Sequence, residues 1–77
     1  MIYGIWTIVV GGTDYWAGGG MADTLIKEFG YKKDNCGTDF NAKFQTMDIN
    51  FAYRYMEYLT NYYVKTNHNY IFEVRER

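Results

Sequence analysis

The sequence predicts an α+β domain with the order strand, helix, strand, strand, helix, strand. Three observations carry that prediction. Met21–Phe29 and Asp48–Lys65 repeat their apolar residues with a helical period, while an apolar run opens the chain and an alternating stretch closes it. Between the two helical stretches, Phe40–Thr46 alternates apolar and polar residues as a strand does. With 77 residues there is room for one core, so residues 1–77 are expected to form a single domain.

Ile2–Val10 is rich in β-branched and aromatic residues, with Ile2, Trp6, Ile8 and Val10 in one alternating set and Tyr3, Ile5, Thr7 and Val9 in the other. A strand apolar on both faces is usually central and covered on both sides. Gly11–Gly20, GGTDYWAGGG, is half glycine and reads as a flexible or sharply turned connection. Met21–Phe29 follows as a short helix with Gly30 at its C-terminal cap. Tyr31–Asn35 reads as a weak, polar edge strand and Cys36-Gly37-Thr38 as a turn.

In Phe40–Thr46, the residues Phe40, Ala42, Phe44 and Thr46 are expected to point inward. Asp48 then suits the N-cap of the long helix, where its carboxylate can accept free backbone N–H groups. That helix fades through Thr66–Asn69, where an asparagine suits the left-handed cap conformation. Tyr70, Phe72 and Val74 mark a half-buried final strand, with Glu76 and Arg77 as a frayed tail. The order is the βαββαβ pattern of a ferredoxin-like fold, with two helices on one face of an antiparallel sheet. If Tyr31–Asn35 is only a loop, a three-stranded α+β variant results.

The long helix carries two apolar stripes. Ile49, Ala52, Met56, Leu59 and Tyr63 form the one expected to face the core. Phe51, Tyr55, Tyr58 and Tyr62 form a second, and a helix with two stripes must cover both or offer one to a partner. Tyrosine supplies nine residues and aromatics 21% of the chain; such rings with polar tips suit half-buried sites and interfaces. Packing of the stripe inside the domain competes on equal terms with its use as a contact surface.

A formal charge of −1 argues against non-specific nucleic-acid binding, which draws on a basic excess. Phe40 and Phe44 lie where RNA-recognition domains stack bases, but the Lys/Arg-Gly-aromatic opening of that motif is missing. The single cysteine, Cys36, rules out an intramolecular disulfide and fits a reducing cytoplasm. MIYGIWTIVVGG lacks the basic start and the length of a signal or membrane segment. A cytoplasmic protein without membrane attachment is therefore expected.

Serine is absent, which removes serine nucleophiles. Cys36 and His68 do not sit at metal-ligand spacing, and no two of Asp48, Glu57 and Glu73 are at a spacing that places them together. No enzyme, cofactor or metal site is expected. Gly18-Gly19-Gly20 before a helix is the most site-like local feature: glycines admit a close phosphate, and helix N–H groups favour an anion. Thr13, Tyr15 and Trp16 stand beside it with a hydroxyl and stacking rings. The loop lacks the lysine of a P-loop, and Asp14 and Asp23 bring negative charge close.

Two functions follow. The first is a non-catalytic protein-binding inhibitor or adaptor, acting alone or as a homodimer through Phe51, Tyr55, Tyr58, Tyr62, Tyr15 and Trp16. The second is a small-ligand or nucleotide-sequestering protein using Thr13, Gly18, Gly19 and Gly20. In general style, GGTDYWAGGG and FAYRYMEYLTNYY make the chain resemble the small inhibitors of phages and mobile elements, such as anti-CRISPR proteins. What the resemblance implies is the blocking of a bacterial defence complex; it assigns a role to no residue.

Overall fold

The computed structural model describes residues 1–30, 36–38, 41–66 and 70–77. They form an α+β fold with an open antiparallel sheet and two helices. The strands are β1 (Tyr3–Val9), β2 (Tyr15–Trp16), β3 (Cys36–Thr38), β4 (Phe44–Thr46) and β5 (Tyr70–Glu76); the helices are α1 (Ala22–Phe29) and α2 (Ile49–Lys65). The central strand is β1, as expected of its two apolar faces. On one edge it pairs with β5 along its whole length, from Tyr3↔Glu76 to Val9↔Tyr70. Its other edge is shared end to end by β2, at Trp6↔Trp16, and β4, at Tyr3↔Thr46, and β3 completes the sheet beside β4.

The glycine-rich segment is more ordered than its composition suggests. Gly11, with φ of 77°, makes a turn closed by the Gly12 N–H to Val9 C=O bond, and Asp14 Oδ1 accepts the Val9 N–H at 3.0 Å. The chain returns as β2, and after Ala17 it leaves β1 to make room for β4. A strand where a loop was expected is thus the first correction. The second is β3: Cys36–Thr38 is paired strand rather than turn, because its backbone is taken up by β4. The edge strand expected at Tyr31–Asn35 lies outside the described residues, as do Phe40 and the asparagine cap at Asn67 and Asn69. Ala42 is an exposed turn residue with φ of 60°, so the strand expected from Phe40 begins only at Phe44.

Both helices keep their anticipated signals. Gly30 adopts the left-handed conformation at the end of α1, φ 72°, and its N–H bonds to Ile26 C=O. Asp48 caps α2 by accepting the Asn50 and Phe51 N–H groups. One core lies between the helices and the inward face of the sheet: Ile5, Ala17, Ala22, Leu25, Phe44, Phe51, Ala52, Tyr55 and Leu59. Inward-facing Tyr3, Phe72 and Val74 pack against it. Ile49, expected in this core, is 41% exposed at the first turn of α2. Nor is the C-terminus frayed: β5 runs to Glu76, and the Arg77 N–H bonds to Ile2 C=O at 2.8 Å. Among the described residues no helix is long and apolar enough to cross a membrane.

Candidate functional site

The aromatic stripe of α2 is divided between core and surface. Phe51 and Tyr55 are fully buried. Their rings meet Phe44, with centroids 5.6 and 4.2 Å away. The buried face of α2 is Phe51, Ala52, Tyr55 and Leu59, an arc about 100° wide drawn from both predicted stripes. The expectation that Phe51 and Tyr55 offer a contact surface is therefore corrected: a sheet that packs on the seam between two stripes claims two residues from each. Tyr58 is half-buried. Tyr62 is 43% exposed and sets its ring edge-on to Tyr63, at 5.1 Å.

Tyr55 also organises the glycine segment. Its hydroxyl donates to Gly18 C=O at 2.7 Å. Burial pushes its pKa from 10.0 up to about 12, against the opposing pull of the Met21 backbone N–H directed at the same oxygen. Gly19 donates its N–H to Ala42 C=O at 3.0 Å, and its own C=O accepts from Ala22. An anion at Gly18, Gly19 and Gly20 would thus meet a backbone whose Gly19 and Met21 donors are already directed inward. Thr13 is exposed in the hairpin turn before β2, apart from the bonded Gly18–Gly19 backbone. Tyr15 stands over the same region, 41% exposed, with Lys43 Nζ 5.5 Å from its ring centroid. Burial raises its pKa, as do the neighbouring Tyr70 and Tyr63.

The sheet face turned away from the helices holds a different constellation. Side chains alternate along a strand, so the burial of Ile5 and Thr7 sends Trp6 to that face, and its partner Trp16 follows. The two indoles meet edge to face with centroids 5.0 Å apart. Arg75 lies over Trp6, its guanidinium carbon 5.3 Å from the ring, and Arg77 over Trp16 at 5.0 Å. Such cation–π contacts hold each guanidinium over an indole ring. Glu73 Oε2 accepts from Arg75 Nε at 2.9 Å and from its terminal nitrogen at 2.6 Å. Arg77 also reaches Phe44 C=O at 3.4 Å.

Gly4 makes this layer fit. A Cβ there would stand 2.6 Å from Arg77 Cδ and 3.0 Å from Trp16 Cε3. Exposed Ile2, Val10 and Ile71 share the alternating positions of Trp6 and Ile8 and surround the layer with aliphatic surface.

Of the residues singled out in the sequence, Trp16 alone belongs to this layer. Trp6, Arg75 and Arg77 were missed. Their signal was parity: in Tyr70–Arg77 the charged residues 73, 75 and 77 share the set opposite to Tyr70, Phe72 and Val74, and register places that set beside Trp6. Among the described residues no group of three or more His, Cys, Asp or Glu side chains is placed to hold a metal. His68 lies outside the described residues.

Comparison with known proteins returned no match to a family model, to a curated protein or to a solved structure.

Proposed function

We propose that this chain is a non-catalytic protein-binding domain, an inhibitor or adaptor, whose contact surface is the open sheet face. The supporting observation is the Trp6–Trp16 pair with Arg75 and Arg77 laid over it. Tryptophan and arginine are the residue types most enriched among interface hot spots. Here their rotamers are restrained before any partner arrives, so little side-chain entropy remains to be lost on binding. Ile2, Val10 and Ile71 add apolar surface around them.

The charge of the face selects the kind of partner. Arg75 is paired with Glu73 on this face, and Arg77 lies over Trp16. A foreign protein presenting a carboxylate beside an apolar patch is complementary to guanidinium groups laid over indoles. Tyr15 and Tyr62 belong to other surfaces and are secondary contacts in this reading. The strand path β5–β1–β4–β3, antiparallel throughout, agrees with a ferredoxin-like βαββαβ domain in which β2 is an added arm. Blocking of a bacterial defence complex, which the resemblance to phage inhibitors implies, is one instance of such binding in a cytoplasmic setting.

The test compares proteins retained from the source cell by wild type, by Arg77→Glu and by Tyr62→Ala, each verified as folded by circular dichroism. The expected result is a partner kept by wild type and Tyr62→Ala and lost by Arg77→Glu. Loss with Tyr62→Ala alone would move the contact to α2.

A further inference from the structure

Among the described residues β5 pairs with β1 alone, so its outer edge carries no strand. Hydrogen-bond parity identifies the backbone groups on that edge. The Arg77 N–H to Ile2 C=O bond joins directly opposed residues, so residues 71, 73, 75 and 77 exchange hydrogen bonds with β1. The Ala17 N–H to Ile5 C=O bond agrees, because it turns Ile5, the residue opposite Val74, toward β2. Phe72, Val74 and Glu76 therefore direct their N–H and C=O groups away from β1.

Such an edge is a template for another strand unless a proline or a bulge interrupts it. The chain has no proline, and the register of β5 with β1 runs unbroken from Tyr3↔Glu76 to Val9↔Tyr70. The charges on β5 then select what fits. A second copy can add its own β5 antiparallel about a twofold axis, with outward backbone groups opposite outward ones. An axis centred on Glu73, Arg75 or Glu76 would set like charges directly opposite, which is destabilising. An axis centred on Phe72 would set Glu73 against Ile71. Centred on Val74, it sets Glu73 opposite Arg75 of the second copy, and Arg75 opposite the Glu73 of that copy. Both pairs fall at positions without backbone hydrogen bonds, where opposed side chains approach most closely. Glu73 and Arg75 already share an ion pair within one strand. At this register the four groups alternate in sign, and like charges lie on the diagonals.

We infer that the outer edge of β5 is a self-association site, at which a second copy of this chain adds its β5 with Glu73 opposite Arg75 in both directions. Val74 meets Val74 on the helix side of the joint, a β-branched pair suited to opposed strands. Directly opposed residues project to the same side of a sheet. The Trp6–Trp16 layers of the two copies therefore lie on one continuous surface. The inference concerns the edge alone and does not rest on what that surface binds.

The test combines solution mass by light scattering with amide hydrogen exchange by NMR, both on the whole purified chain. The expected wild type is a dimer that dissociates on dilution. Its Phe72, Val74 and Glu76 amides should be protected in the dimer and lose that protection in the monomer. Glu73→Arg and Arg75→Glu each set like charges across the joint. Each variant alone is expected to be a monomer, folded by circular dichroism, whereas their equimolar mixture should form a heterodimer because every opposed pair is then of opposite sign. The inference is overturned if the wild type stays monomeric at NMR concentration, which would leave the edge to a foreign extended peptide. It is equally overturned by a dimer whose Phe72, Val74 and Glu76 amides exchange as fast as in the monomer, or by folded variants whose mixture stays monomeric.

Discussion

At the scale of single residues, two buried hydroxyls have opposite standing. Tyr55 has its partner in Gly18 C=O, and Thr7 has none among the described residues. Removing an unsatisfied hydroxyl relieves a desolvation cost, so Thr7→Val is expected to raise stability by about 1 kcal/mol in urea unfolding. Tyr55→Phe should do the reverse, lowering stability at pH 7 by about 1–3 kcal/mol because Gly18 C=O loses its donor. Burial holds Tyr55 neutral, with its pKa near 12 in place of 10.0. Its contribution is therefore complete below pH 10. It falls as the pH rises toward 12, where the unfolded chain ionises first, by on the order of 2–3 kcal/mol. Unfolding measured at pH 8, 10 and 11.5 should show this extra decline in wild type and a smaller one in Tyr55→Phe. Neither role was legible in the sequence, since a tyrosine at helical spacing reads alike as core or as contact until the packing partner is known.

At the scale of elements, what could be read were the helices. Their periods span several turns and their ends carry chemical markers, Asp48 before α2 and Gly30 after α1. Asp48→Ala removes the acceptor for two N–H groups and should cost about 1 kcal/mol, seen in the urea midpoint with an unchanged slope. The short strands were hidden for a physical reason. β2 and β3 hold two and three residues, too few to show alternation, and both form because a neighbouring strand offers its edge. In β5 the alternation was legible, but not that its outer set would lie on indoles. Gly4 is the element-level switch for that layer: Gly4→Val should push Arg77 off Trp16 and shift tryptophan emission to the red. Arg77 can swing aside, but the Trp16 ring 3.0 Å away must shift too, so the unfolding midpoint should also fall.

At the scale of the whole molecule, the sheet has one face committed to the core and one to the surface. Both helices contribute to a single cluster on the inner face, and the outer face is finished with flat, charged and aromatic groups. The sequence suggested that the second apolar side of β1 needs cover; it did not reveal that Arg75, Arg77 and Trp16 supply part of it. The central claim is that this outer face is where another protein binds. Oxidative footprinting of Trp6 and Trp16 tests it most directly, comparing the chain inside its source cell with the purified chain at equal dose. The account predicts strong protection of both tryptophans in the cell, with Tyr53 and Tyr62 labelled equally in the two settings. Equal labelling of the tryptophans, or protection confined to Tyr53 and Tyr62, would contradict it and return the contact to α2.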